Sequence, residues 1–206
     1  MNREPYSILC LGDSYTIGEC VLPEARFPSQ VVTKLRNDNL LFSDPLIIAT
    51  TGWTTDELDA AIESENIQQT FDFVTLLIGV NNQYRGRSVA DYRFEFRKLL
   101  ERAIAFAGNR PNHVFVISIP DWGVTPFGHN DKRGVQKIGE EIDIFNEVNK
   151  QEALKSKTHY IDITPYSRTA AVDSALIARD GLHPSGKMYA AWSEKLVKAF
   201  KKEINR

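Results

Sequence analysis

A nucleophilic hydroxyl, a base, a carboxylate to orient the base and donors for an oxyanion together make an acyl-transfer site. The sequence offers a candidate for each. Ser14 lies in Leu11-Gly12-Asp13-Ser14-Tyr15-Thr16-Ile17-Gly18-Glu19, directly after the apolar run that begins at Tyr6. A serine hydroxyl is a poor nucleophile until a base takes its proton. His183 stands in Asp180-Gly181-Leu182-His183-Pro184, and the spacing lets Asp180 reach the imidazole Nδ1–H locally. Such a contact fixes the tautomer and leaves Nε2 free to accept the serine proton. Asn81 follows the apolar run Phe73-Val74-Thr75-Leu76-Leu77-Ile78 and brings an amide that can donate to developing negative charge. Gly52 follows Ala49-Thr50-Thr51, where the lack of a Cβ lets a backbone N–H approach a ligand closely.

Taken one at a time, these residues read as a turn serine, a helix-capping histidine, a turn asparagine and a turn glycine. Their placement changes the reading. Near-continuous apolar runs, the pattern of strands buried on both faces, occupy residues 6–11, 45–50, 72–78, 113–119 and 158–163. Helical patterns lie between them, over 27–37, from Thr54 to about Glu63, over 89–106, over 134–154 and after Ser185. Tyr92, Phe96, Leu99, Ala103 and Phe106 recur at steps of three and four, one apolar stripe. Thr54-Thr55-Asp56-Glu57 has the form of a capping box. Segment 120–133 reads as loop-rich.

This β-α-β-α order predicts a parallel sheet with right-handed crossovers. The expected architecture is α/β, a three-layer α/β/α sandwich on a five-stranded parallel sheet of flavodoxin-like order, with residues 1–206 as one catalytic domain. Ligands in such folds sit outside the carboxyl ends of the strands. Ser14, Gly52 and Asn81 follow strand candidates directly. Asp180 and His183 lie downstream of the last one, just before the last helix, so all five are expected on one rim.

Four blocks carry a family likeness: Gly12-Asp13-Ser14, Gly52, Gly79-Val80-Asn81-Asn82 and Asp180-Gly181-Leu182-His183-Pro184. In their order, spanning residues 12 to 184, the sequence resembles the SGNH (GDSL-type) hydrolase family. The resemblance implies Ser14 as nucleophile, His183 as general base and Asp180 as its orienter. It also implies an oxyanion hole from the Ser14 and Gly52 backbone N–H groups and the Asn81 side chain. The family's third block usually reads Gly-X-Asn-Asp, whereas Asn82 fills the last place here. No Gly-X-Ser-X-Gly elbow surrounds Ser14, which argues against an α/β-hydrolase site.

The expected activity is therefore that of a metal-independent serine esterase without a cofactor, acting on short-acyl carboxylic esters. Carbohydrate O-acetyl esters, lysophospholipids and thioesters are alternatives within the family. Asp13, Tyr15, Trp53, Asn82, Tyr84 and Trp122 lie within or beside the rim blocks and are candidates for substrate contact, as are Arg85 and Phe127. A phosphate- or flavin-binding flavodoxin-like module would explain the loop after the first strand but leaves Asn81 and the Asp180–His183 pair without a role. A phosphatase using Asp13 as nucleophile would want further acidic residues nearby, and none is evident in residues 11–18. A catalytically silent carbohydrate-binding relative is a third rival. His129 is the second choice of base, and His113 and His159 are expected at the core edge.

A formal net charge of -2 argues against nucleic acid or an anionic membrane as partner. No run approaches the roughly 18 apolar residues of a membrane span. The N-terminal stretch lacks a signal-peptide layout, so a cytoplasmic location is expected. Two cysteines, Cys10 in an apolar run and Cys20 in a loop, make no disulfide framework.

Overall fold

The structure is a computed structural model that describes residues 4–206. Part of the stretch read for a leader, residues 1–3, lies outside the described residues. Five parallel strands, β1 (Ile8–Gly12), β2 (Leu46–Ala49), β3 (Phe73–Leu77), β4 (Val114–Ile117) and β5 (His159–Ile161), form one sheet in the order β2-β1-β3-β4-β5. Every residue of β1, β3 and β4 is buried, as continuous apolar runs require of central strands. The edge strands β2 and β5 are only partly covered.

The helices in chain order are α1 (Ser14–Ile17), α2 (Phe27–Asn37), α3 (Thr55–Glu65), α4 (Val80–Tyr84), α5 (Val89–Phe106), α6 (Pro126–His129), α7 (Val135–Lys155), α8 (Thr164–Ser167) and α9 (Gly186–Ile204). Val31 and Leu35 of α2 meet a helix whose Met188, Trp192, Leu196 and Phe200 are buried, so α2 and α9 share one face of the sheet. α5 packs between α3 and α7, and right-handed crossovers place these three on the other face. Tyr92, Phe96, Leu99 and Ala103 form the buried stripe of α5. Glu57 Oε2 accepts the Thr54 N–H at 2.8 Å, the expected reach back to the start of α3.

Two expectations change. Segment 120–133 is not plain loop: a 3-10 turn spans Trp122–Val124 and α6 follows it. Asp121 accepts the Gly123 N–H at 2.9 Å and Thr125 caps α6, with Pro126 at its first turn. Ser14 opens a one-turn helix, α1, rather than a simple turn, because Asp13 caps it and Gly18 ends it at φ 73.

The chain reverses its direction of winding between β1 and β3, the crevice where ligands bind in this strand order. α1 leaves β1 and α4 leaves β3, so Ser14 and Asn81 flank that point. Tight packing fixes both exits. A Cβ on Gly12 would lie 2.1 Å from Thr16 Oγ1 and 2.4 Å from the Leu77 carbonyl. Gly79 has φ 125, and a Cβ there would lie 2.3 Å from the Tyr92 hydroxyl.

Candidate active site

Asp13 Oδ1 accepts the Tyr15 N–H at 3.0 Å, satisfying a free donor at the start of α1 and holding Ser14 at the head of that helix. The Asp13 side chain is completely buried, and its Oδ2 meets no hydrogen-bond partner. Burial pushes its carboxyl up to about 7 against the pull of the backbone hydrogen bonds.

Before α9 the chain turns at Gly181, and this turn brings Asp180 back onto His183. Asp180 Oδ2 lies 2.5 Å from His183 Nδ1, while Oδ1 accepts the backbone N–H groups of Leu182 and His183 at 3.0 Å each. Partial burial opposes ionisation of Asp180. Hydrogen bonds from the His183 ring, these two amides and the Cys20 thiol outweigh it, and the carboxyl sits at about 2. Asp180 is therefore an anion at neutral pH. The edge of Tyr15 meets the His183 ring with centroids 5.7 Å apart, which holds the imidazole from a second side.

Beside this pair opens a cavity of about 160 Å³. Ser14, Asn81 and His183 supply its polar side chains, while Tyr15, Tyr84, Trp122 and Phe127 form its aromatic walls, with Val80 and Leu182 between them. Asn81 is aimed by one bond: its Nδ2 donates to the Trp53 carbonyl at 2.8 Å. An amide nitrogen carries two protons, so one remains for an incoming group. Gly52, at φ 88, turns the chain just before Trp53, and its carbonyl accepts from Arg85 at 2.7 Å.

Ser14, His183 and Asn81 thus line one cavity with Asp180 behind the histidine, whereas Gly52 does not line it. Tyr15, Tyr84, Trp122 and Phe127 also line it, but four other candidates for substrate contact do not. Asp13 and Asn82 are fully buried and present no surface to a ligand. Asp13 caps a helix. Asn82 accepts the Thr55 N–H at 3.1 Å and donates to Thr55 Oγ1 at 2.6 Å, tying α4 to the start of α3. Trp53 packs on the core and acts through its carbonyl. Arg85 is engaged by Gly52 and Glu57.

His129 is exposed on α6 and does not line the cavity of Ser14 and His183; it lies in a separate groove that reaches Val172 and Arg179. His113 Nδ1 lies 2.7 Å from the Asp72 carbonyl, and His159 stacks on Phe115, both near the sheet. Sequence reasoning missed Cys20 as a partner of Asp180, and it missed the groups behind the aromatic wall. Their partners are distant in the chain and leave no local pattern.

A family model for the GDSL-like lipase/acylhydrolase family matches residues 10–191. The chain belongs to this family. GDSL-like lipase/acylhydrolases cleave ester bonds, and this chain is accordingly an ester-bond hydrolase. No curated protein matches its sequence. Among solved structures it is similar to a lipase/acylhydrolase from Enterococcus faecalis, 22% identical, covering 96% of each chain with a TM-score of 0.74. It is similar to a putative GDSL-like lipase from Parabacteroides merdae, 17% identical, covering 96% of each chain with a TM-score of 0.76. The acetylxylan esterase Axe2 from Geobacillus stearothermophilus is 21% identical, covering 98% of this chain and 94% of its own, with a TM-score of 0.69. At these identities the likeness speaks for the fold. No helix among the described residues of this GDSL-like chain is long and apolar enough to cross a membrane.

Proposed function

We propose that this chain is a serine esterase acting on carboxylic esters with a short acyl group, and that residues 1–206 work as one catalytic domain. Ser14 Oγ attacks the ester carbonyl carbon and passes its proton to His183 Nε2. Asp180 holds Nδ1 and stabilises the imidazolium. The Ser14 and Gly52 backbone N–H groups and the Asn81 side chain receive the charge that develops on the carbonyl oxygen. Collapse of the tetrahedral intermediate breaks the bond to the alcohol, which takes the proton from His183. Water, activated by the same imidazole, then frees the acid and restores Ser14.

The observation that carries this reading is the 2.5 Å contact between Asp180 and His183, with that histidine on the same cavity wall as Ser14. The size and apolar walls of the cavity favour a compact apolar group over a long chain. Deacetylation of carbohydrate is the second reading. Tyr84 and Phe127, which line the cavity, are 46% and 41% exposed, as rings that stack on a sugar would be.

Turnover of p-nitrophenyl acetate, octanoate and decanoate by the wild type, Ser14→Ala and His183→Ala tests the mechanism. A fluorophosphonate label located by mass spectrometry tests the nucleophile. The label is expected on Ser14, and each variant is expected to lose nearly all turnover, since such residues act as a unit. Full activity in Ser14→Ala would exclude the mechanism. Acetylated xylo-oligosaccharide cleaved in preference to simple acetates would favour the second reading.

A further inference from the structure

The aromatic wall is held from outside the cavity by a cation. Arg133 stands in the loop before α7 and does not itself line the cavity. Its guanidinium carbon lies 4.9 Å from the centre of the Trp122 ring and 5.1 Å from that of Tyr84. Those two rings meet edge to face at 5.4 Å. A guanidinium over two ring faces attracts both through their quadrupoles, and its plane fixes the approach.

The cation is itself locked. Arg133 Nε donates to Asp131 Oδ1 at 2.9 Å and Nη2 to Oδ2 at 3.0 Å, a bidentate pair. The backbone N–H of Arg133 meets the same carboxylate at 2.9 Å. Arg133 Nη1 reaches the Tyr84 carbonyl at 3.4 Å, so one residue touches both the ring and the backbone of α4's last residue. Trp122 has a second anchor, an Nε1–H bond to Gln83 Oε1 at 2.9 Å, and Gln83 in turn donates to Glu141 at 2.7 Å. The Tyr84 ring has no such hydrogen-bonded anchor among those described. It packs on Trp122, Phe127 and Arg133 and is 46% exposed.

The cavity, about 160 Å³, is close to the roughly 150 Å³ that holds a benzene ring. An acetyl group fills a small part of that space. A phenyl or six-carbon group fills it and meets the aromatic wall.

Resting on the esterase reading above, we propose that Arg133 is a positioning residue that sets selectivity for ring-sized apolar groups by fixing Tyr84 against Trp122. It touches no reacting atom, so it acts on binding of those groups and leaves the chemical step alone.

Two ester series test this with wild type, Arg133→Ala, Arg133→Lys and Asp131→Asn. One is methyl acetate, hexanoate and benzoate; the other is the acetates of ethanol and benzyl alcohol. In at least one series Arg133→Ala is expected to raise KM for the large ester about tenfold while kcat stays within about twofold. Small esters are expected to change less than about twofold in either constant. Arg133→Lys keeps the charge without the planar fork and should recover only part of the loss. Asp131→Asn loosens the guanidinium and should shift KM the same way, so it carries the test if Arg133→Ala fails to fold. A uniform loss across all esters, a fall in kcat alone, or no change in either series would overturn the proposal. Binding of acetophenone to Ser14→Ala, followed by the indole N–H resonance of Trp122, separates this proposal from the esterase reading. Weaker binding in Ser14→Ala/Arg133→Ala supports the role of Arg133 even if Ser14 proves not to be the nucleophile. Equal binding overturns it.

Discussion

Asp180 holds His183 twice: its Oδ2 lies 2.5 Å from the ring Nδ1 and its Oδ1 accepts the same residue's backbone N–H at 3.0 Å. One carboxylate therefore fixes both the peptide and the imidazole. Asp180→Asn would offer an amide N–H to Nδ1 in place of an acceptor and drive the ring proton onto Nε2. That is the wrong tautomer for a base. We expect kcat/KM to fall on the order of a thousand- to ten-thousandfold, with the fold intact. Steady-state kinetics together with a thermal melt check this. A loss under tenfold would show that the carboxylate does not set the tautomer.

Asn81 makes a different kind of contribution. Its bond to the Trp53 carbonyl fixes the side chain at the cavity wall and uses one of its two N–H groups. Asn81→Ala is expected to lower kcat roughly a hundred- to a thousandfold with little change in KM, because the charge it is proposed to meet exists only in the transition state. Asn81→Asp should be no better. It places an oxygen where a donor is needed and sets it against the Trp53 carbonyl. A rise in KM with kcat unchanged would instead make Asn81 a ground-state contact.

Much of this arrangement was readable before any coordinates. Helices over 27–37 and 89–106 match α2 and α5 in full because their apolar spacing is also their buried face. The runs 113–119 and 158–163 overstate β4, Val114–Ile117, and β5, His159–Ile161, because apolar character continues past the residues that pair. Ser14 and Asn81 were legible from their place just after a strand, and His183 from its spacing to Asp180 just before the last helix. The side-chain choices were not. Trp53 and Trp122 both stand beside rim blocks, yet Trp122 lines the cavity and Trp53 packs on the core. Arg133 meets Tyr84, which lies 49 residues away, and no periodicity records such a contact. Asp13, a candidate for substrate contact by its place in the sequence, is buried, and its side chain caps α1.

That burial has a consequence for stability against pH. The Asp13 carboxyl is raised from 3.8 to about 7 in the folded chain. Below pH 4 both folded and unfolded chains hold the proton, and the group is neutral to stability. Between pH 4 and 7 the unfolded chain releases it while the folded chain keeps it, so stability falls as pH rises. At about 1.4 kcal/mol per unit, the loss by pH 7 is on the order of 4 kcal/mol. Asp13→Asn retains the Oδ1 acceptor for the Tyr15 N–H and has nothing to titrate. Its advantage over the wild type should therefore grow from near zero at pH 4 to a few kcal/mol at pH 8. Urea melts across that range measure the difference, and a difference independent of pH would mean that Asp13 folds as an anion.

The asparagine at 82, where the family usually has aspartate, has a physical counterpart in Glu95. Glu95 Oε2 lies 3.5 Å from Asn82 Nδ2, and Asn82 is fully buried. The amide suits this site because it accepts from the Thr55 N–H and donates to Thr55 Oγ1 at once. An aspartate there would lose the donor and face a second carboxylate out of water. Asn82→Asp is expected to destabilise by about 1–3 kcal/mol, a fall in Tm of roughly 3–10 °C for a chain of this size. The loss should be larger at pH 8 than at pH 5, where the added carboxyl takes up a proton. Glu95→Gln in the same chain should recover most of it, with a coupling above about 0.5 kcal/mol in the double-mutant cycle. Additive losses would separate the two side chains energetically and leave the choice of asparagine to its bonds with Thr55 alone.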